Sequence, residues 1–329
     1  MLEELWNTLT DPSLRVAPAY LAAFILIAFA IYLLRRRAEH LPGFLAWLFP
    51  RRVYTDRSNL TDAGLFLVGR LMAFVGVFRA VGLRTLTTVA VVALAGAATG
   101  ASIREAPWSA GDTVLVTAIY LLFADFAVYW VHRWHHEMPL LWPFHMVHHS
   151  AEVMTPLTVY RKHPVYDLLS AMISDLMVGL AMGLVLILVT NHLDMLAMAG
   201  IHAGYFLFNM FGSNFRHTHI WIGYGPVLER ILISPAQHQI HHGRAVRHHD
   251  KNYGEVFALW DWMFGTLYVP KGREAVEFGL AERDGTPIPQ PHPNLAAALL
   301  VPFRQFAAQL GARGRDVNGA AAHTEAAER

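Results

Sequence analysis

The sequence predicts an all-α integral membrane protein whose histidine-rich segments face the cytoplasm, and three observations carry that prediction. Of the 329 residues, 54% are hydrophobic and only 16% charged, where a soluble chain of this size carries about a quarter charged residues. Several apolar runs approach the roughly 20 residues a helix needs to cross a bilayer. Between and after those runs the chain bunches its 19 histidines. The same arithmetic excludes other classes. With no cysteine there is no disulfide framework, iron–sulfur ligand or thiolate nucleophile. A net charge of +1 gives no basic field for nucleic acid.

Taken in order, Ala17 to Leu34 is an almost unbroken apolar run closed by Arg35, Arg36 and Arg37. Acidic residues precede it and the basic triplet follows, which reads as a spanning helix with a stop-transfer flank and not as a cleaved signal peptide. The loop that follows, to Ala63, carries arginines at 35, 36, 37, 51, 52 and 57, so the positive-inside rule places it in the cytoplasm. Gly64 to Val81 is apolar but contains Arg70 and Arg79, each costly at mid-bilayer, and is predicted to be an interfacial amphipathic helix. Leu86 to Ala101 then leads out, Thr113 to Val131 leads back, and Leu168 to Phe211 forms a hairpin that starts and ends inside, built from Leu168 to Thr190 and Leu193 to Phe211. Three regions follow: an N-terminal membrane anchor over 1–112, a histidine-bearing domain over 113–270, and a C-terminal extension over 271–329. From Arg313 onward the Gly, Ala and charged residues predict disorder.

The histidines form three clusters. His132 and His136 directly follow the Thr113 to Val131 span; His145, His148 and His149 come next; His238, His241 and His242 form the third. On a helix, positions i, i+3 and i+4 share a face, so each group can aim its imidazoles at a common point. Two triplets and a pair can surround two metal ions. Imidazole suits zinc, copper, iron or nickel and is a poor match for calcium or magnesium. A closed structural zinc site needs only four ligands, whereas a pair of irons with positions left for dioxygen uses all eight histidines. Zinc in purified protein is compatible with this reading, because it binds such sites tightly. His40, His192, His292 and His323 read as ordinary core or surface side chains.

The spacing His132-x-x-x-His136, His145-x-x-His148-His149 and His238-x-x-His241-His242 resembles the fatty acid hydroxylase and sterol desaturase superfamily of membrane di-iron oxygenases. The likeness extends to Asp125-Phe-Ala-Val-Tyr129-Trp130-Val-His132-Arg133, to Asp250-Lys-Asn252-Tyr253-Gly254 and to Trp260-Asp261-Trp-Met-Phe-Gly265-Thr266, and covers roughly Thr113 to Tyr268. Within the superfamily, the stretch from His217-Thr218-His219 through Gly225-Pro226 to Ser234-Pro235-Ala-Gln-His238 and His241-His242-Gly243-Arg244 is similar to the alkylglycerol monooxygenases; bacterial lipid and sterol hydroxylases share much of it. The resemblance implies a transmembrane helical stalk with a cytosolic histidine-rich helical cap, two iron ions, and O2-dependent hydroxylation or desaturation of a lipid drawn from the bilayer. It also implies a ninth ligand at His217, with His219 as the alternative. His163, in Arg161-Lys162-His163-Pro164, matches a further family element and is open between the site and a surface role at the start of a helix.

Metal-bound imidazoles usually give their second N–H to a carboxylate or carbonyl. Asp125, a carboxylate inside an apolar span near the face of His132, and Glu137, next to His136, are the carboxylates assigned to catalysis. Asp250 and Asp261 are further candidates to orient the ligands. His202 and Asp175 lie mid-span and either line a substrate channel or join two helices. The sequence has no His-Pro-Gly-Gly haem motif and no Gly-x-Gly-x-x-Gly fingerprint, so electrons are expected from a separate protein or small reductant. Three other readings compete: a pterin-dependent ether-lipid cleaving monooxygenase, a membrane metal transporter or sensor, and a membrane zinc hydrolase.

Overall fold

The computed structural model describes residues 6–7, 11, 14–77, 82–100, 104–190, 192–194 and 213–327. Helix α1 (Pro18–Arg35) has Pro in its first turn and is succeeded by short helices α2 (Phe44–Leu48) and α3 (Arg51–Tyr54) and by α4 (Ser58–Phe74). Helix α5 (Arg84–Thr99) precedes α6 (Ala110–Glu137), α7 (Trp142–His149) and α8 (Pro164–Val185), the last prolonged by a π turn over Leu186–Thr190. Helices α9 (Pro235–His241), α10 (Leu259–Met263) and α11 (Leu295–Ala327) complete the described chain. The one sheet among the described residues is a two-residue pairing of Arg104–Glu105 with His192–Leu193.

Among the described residues, four helices are long and apolar enough to cross a membrane, Pro18–Arg35, Ala110–Glu137, Pro164–Thr190 and Leu295–Ala312, with Arg84–Thr99 a shorter apolar helix. The chain is a multi-pass membrane protein. The sequence reading anticipated the first three and the short helix. It did not anticipate the fourth, which lies in the 271–329 extension at the start of α11. The Leu193 to Phe211 run, with His202, lies outside the described residues beyond Asp194.

Helices α5, α6 and α8 pack together around Val116, Ala127, Val178, Met182 and Val185. Close contact between α5 and α8 depends on two glycines one turn apart: a Cβ at Gly179 would lie 2.6 Å from the Arg84 carbonyl oxygen, and one at Gly183 would lie 2.7 Å from Val91 Cβ. This is the small-residue spacing that lets apolar helices approach within a bilayer. Asp175 joins the same two helices, pairing with Arg84 at 2.9 Å and accepting from Leu83 N at 3.1 Å.

Helix α6 begins in a capping box, with Asp112 N donating to Ser109 Oγ at 3.0 Å and Ser109 N to Asp112 Oδ2 at 3.1 Å. Its 28 residues extend about 42 Å at ~1.5 Å per residue, longer than the ~30 Å of a bilayer core. The surplus carries His132 and His136 beyond the apolar length. Helix α1 packs Phe24 and Ala28 on Leu48, Phe215 and Ile220, so it lies against the segment that leads into His217. The run read as interfacial overlaps α4, which buries Ser58, Thr61, Asp62 and Leu65 along one stripe.

Candidate metal centre

Four segments deliver the histidines. His132 and His136 occupy the last turns of α6. Helix α7 has Pro143 in its first turn and presents His145, His148 and His149. Helix α9 starts at a Ser234–Gln237 capping box with Pro235 in its first turn, and presents His238 and His241, with His242 as its C-cap. His217 follows a 3₁₀ turn over Ser213–Phe215.

The structure brings all nine expected ligands together in two groups. One holds His132, His136, His145, His149 and His241, the other His148, His217, His238 and His242, and within each the ligand atoms lie within 4.8 Å of one another. The groups abut: the His149 and His242 rings stack at 4.4 Å, and those of His241 and His242 meet edge-on at 5.2 Å.

The nitrogens themselves test whether cations fit. In the second group, Nε2 of His217 is 3.2 Å from that of His148 and 3.1 Å from that of His238, which is 3.3 Å from that of His242. Each Nε2 has one proton or one lone pair, so three consecutive contacts among four such atoms cannot all be hydrogen bonds. Donors at about 2.1 Å from a shared ion and roughly 90–109° apart would be ~2.9–3.4 Å from each other. His145 and His149 Nε2 in the first group are 3.2 Å apart as well. Nε2 of His136 and His241 is buried without a hydrogen-bond partner. The donor set therefore fits two metal ions, one in each group.

Electrostatics favour the ligand form. Burial first, and the neighbouring imidazoles next, hold His145, His148, His149, His217, His238 and His242 well below the ordinary histidine value. Burial brings His241 down to about 4 although its hydrogen bond to Lys251 opposes the shift. The rings are neutral at physiological pH and offer lone pairs.

Backbone carbonyls orient three of the rings. Nδ1 of His132 donates to Tyr253 O at 2.8 Å, that of His241 to Lys251 O at 2.8 Å, and that of His148 to Arg161 O at 3.2 Å. Asp125 is not among the hydrogen-bond partners of these three rings. Its carboxylate accepts from Val256 N, Phe257 N and Trp260 Nε1 at 2.8–3.0 Å. Asp261 accepts from Tyr253 N and Gly254 N at 2.8 Å and from Thr266 Oγ1 at 2.6 Å. Together the two carboxylates clamp the 252–257 loop, and through it the carbonyl that holds His132. A carboxylate buried in an apolar span needs partners, and unpaired loop N–H groups supply them as well as a histidine would.

Glu137 pairs with Arg133 at 2.9 Å and lies at a cavity beside the histidines. Asp250 Oδ1 stands 3.9 Å from His136 Nδ1 and accepts from Tyr253 OH. Two further candidates lie outside both groups. His163 caps α8, accepting from Val165 N, and donates to Leu299 O at 3.1 Å. His219 donates to Trp47 O at 2.9 Å. His292 is fully buried and bonds Ser150 Oγ, as a core side chain.

Sequence reasoning missed two supports. Tyr166 stacks on His145 at 4.6 Å and 23°. Arg161 and Asp62, both fully buried, pair at 2.9 Å, and the same guanidinium donates to Val147 O and Ser150 Oγ at the end of α7. The polar stripe Ser58, Thr61 and Asp62 on an otherwise apolar helix was the available signal for the second.

Fold and site together define a helical membrane protein with a buried, all-imidazole centre carried where its apolar helices end. Residues 117–266 of this chain match the model of the fatty acid hydroxylase family. The chain is 31% identical over 182 residues to alkylglycerol monooxygenase from Danio rerio, covering 55% of this chain and 36% of the relative. It is 29% identical over 196 residues to a Delta(7)-sterol 5(6)-desaturase from Gibberella zeae, covering 57% and 54%. Over 161 residues it is 27% identical to an ornithine lipid hydroxylase from Rhizobium tropici, covering 49% and 44%. The match spans about a third of the alkylglycerol monooxygenases' own length and about half of the desaturase's. No solved structure matches the chain.

Proposed function

We propose that this protein is a membrane-bound di-iron oxygenase that uses O2 to hydroxylate or desaturate a C–H bond of a lipid. The observation that carries the reading is the pair of abutting imidazole groups, five and four histidines, in a chain whose residues 117–266 match the fatty acid hydroxylase family model. His132, His136, His145, His149 and His241 would hold one iron and His148, His217, His238 and His242 the other. Iron bound by imidazole supplies the activation of dioxygen needed to attack an unactivated C–H bond. The chain's own residues hold the rings neutral, fix them through the Tyr253, Lys251 and Arg161 carbonyls, and keep the centre buried. The relatives named above support a lipid as substrate.

A cavity of about 550 Å³ reaches the centre, touching His136, His149, His241 and His242. Glu137 and Asp250 also border it and are the carboxylates placed to exchange protons with bound substrate. The arginine-rich loop after α1 supports a cytoplasmic location for the histidines, within reach of a separate electron donor. A narrower reading, ether-lipid cleavage with a pterin reductant, is favoured by the similarity to alkylglycerol monooxygenases.

The test is metal analysis of purified protein together with lipid mass spectrometry of cells with and without the gene. Two metals per chain and a lipid that differs by one oxygen, by two hydrogens or by loss of an ether chain are expected. His148→Ala and His241→Ala should abolish turnover. Metal-free wild type, or full oxygen-dependent activity in those variants, overturns the reading.

A further inference from the structure

The cavity beside the histidines has a wall that the family region does not supply. Helix α11 begins at Leu295, beyond the matched residues 117–266, and packs on α7 through Phe303 and Phe306 against Phe144. One turn apart on its inner face, Gln305 and Gln309 line the same cavity as His136, His149, His241 and His242. The side-chain carbonyl oxygens of both glutamines are buried and have no hydrogen-bond partner. The amide nitrogen of Gln305 meets only the sulfur of Met146, at 3.7 Å, a weak acceptor.

A buried amide oxygen without a donor is costly, and two in register beside a reactive centre mark a place for a ligand. Turning either amide over would leave an NH2 unpaired instead. A hydroxyl, which both donates and accepts, satisfies either orientation. The charge around the cavity argues against a phosphate: of its charged lining, Glu137 is paired with Arg133 and Arg244 with Glu277, which leaves Asp250 and Glu282 against Arg283. Trp142, Met146, Leu280 and Ile288 add apolar wall, suited to an alkyl stem.

We propose that Gln305 and Gln309 are specificity-determining residues that bind the neutral, hydroxyl-bearing headgroup of the lipid substrate, so that the C-terminal helix selects what the histidine centre oxidises. The proposal rests on the oxygenase reading for its substrate but predicts binding, which is measured without turnover. Full-length protein in lipid nanodiscs would be irradiated with three diazirine probes of equal chain length: a 1-O-alkylglycerol, an alkyl phosphate and a plain alkane. Labelled peptides are then mapped by mass spectrometry, and metal content is measured on the same samples.

In wild type the alkylglycerol probe should label α7 and the 279–291 segment in preference to the other two. The Gln305→Leu/Gln309→Leu variant should lose that labelling about tenfold, the loss expected for two neutral hydrogen bonds, with alkane labelling and metal content unchanged. Equal alkylglycerol labelling in the variant, preference for the phosphate, no cavity labelling in wild type, or a loss of metal in the variant would each overturn it. Failure of the oxygenase reading shows separately, as wild type that holds no metal.

Discussion

Replacing Asp62 by Ala removes the charge partner of Arg161 and leaves a guanidinium in a site where both side chains are fully buried. Breaking a buried pair in this way costs about 3–5 kcal/mol. Arg161 would keep its bonds to Val147 O, at 2.8 Å, and Ser150 Oγ, at 3.0 Å, so the fold should survive, weakened at the joint between α4 and α7. The functional effect is specific to one group of histidines. The Arg161 carbonyl orients His148, and loss of such an outer contact lowers metal affinity roughly 10–100-fold. Metal titration of Asp62→Ala should therefore show one weakened and one normal site, with thermal denaturation in detergent displaced downward. Asp62→Asn, which keeps a hydrogen-bond acceptor, should fall between the two. Wild-type melting with both sites at wild-type affinity would refute the argument that this pair braces the second group.

Asp125→Ala strands three donors, Val256 N, Phe257 N and Trp260 Nε1, and should weaken the group that contains His132, again roughly 10–100-fold, with Asp125→Asn milder; unaltered metal affinity in Asp125→Ala would disprove the clamp. Gly183→Leu adds side-chain atoms to a helix face where even a Cβ would lie 2.7 Å from Val91 Cβ, and should destabilise the α5–α8 contact by about 1–3 kcal/mol or more, read as a lowered melting temperature. His219→Ala should retain full metal content, since its ring is engaged with Trp47 O; loss of one metal would show that it, too, is a ligand. Acid should destabilise the metal-free protein: His241 and His292 are each held down to about 4 by burial while an unfolded histidine titrates near 6.5. Between those values the unfolded chain binds protons that the folded chain refuses, so stability falls as pH drops from about 6.5 to 4, at most about 1.4 kcal/mol per pH unit per histidine. Melting temperatures that rise on acidification over that window would contradict the burial.

Much of the site was legible because its chemistry is periodic. His132 and His136, or His145, His148 and His149, are spaced so that any helix through them puts their rings on one face, and an apolar run before them says where that helix is anchored. His217 was reachable only by resemblance, since a lone histidine after a span has no pattern of its own. Asp125 shows the limit: its position in an apolar run required a partner, but the sequence held no clue that the partner was the backbone of residues 256–257. His163 and His219 show the same limit, as each has its ring nitrogen engaged by a distant carbonyl, Leu299 O or Trp47 O. Helix α11 escaped notice because its hydropathy is modest, 1.2 against 1.9–2.4 for the other three spans.

The sequence by itself determined what depends on neighbours along the chain: apolar length, which makes spanning helices; charge at their ends; and histidine spacing, which aims eight imidazoles in three clusters at common points. Tertiary structure decided what depends on chain segments far apart. It brought His217 beside the clusters and divided the nine histidines into groups of five and four, drawing His241 to α6 while His238 and His242, on the same short segment, face His217 and His148. It also turned Asp125 and Asp261 into loop clamps and set two glutamines of the last helix against the centre. Local spacing fixes which way a side chain leaves its helix, but only the packing of one helix against another fixes what it meets.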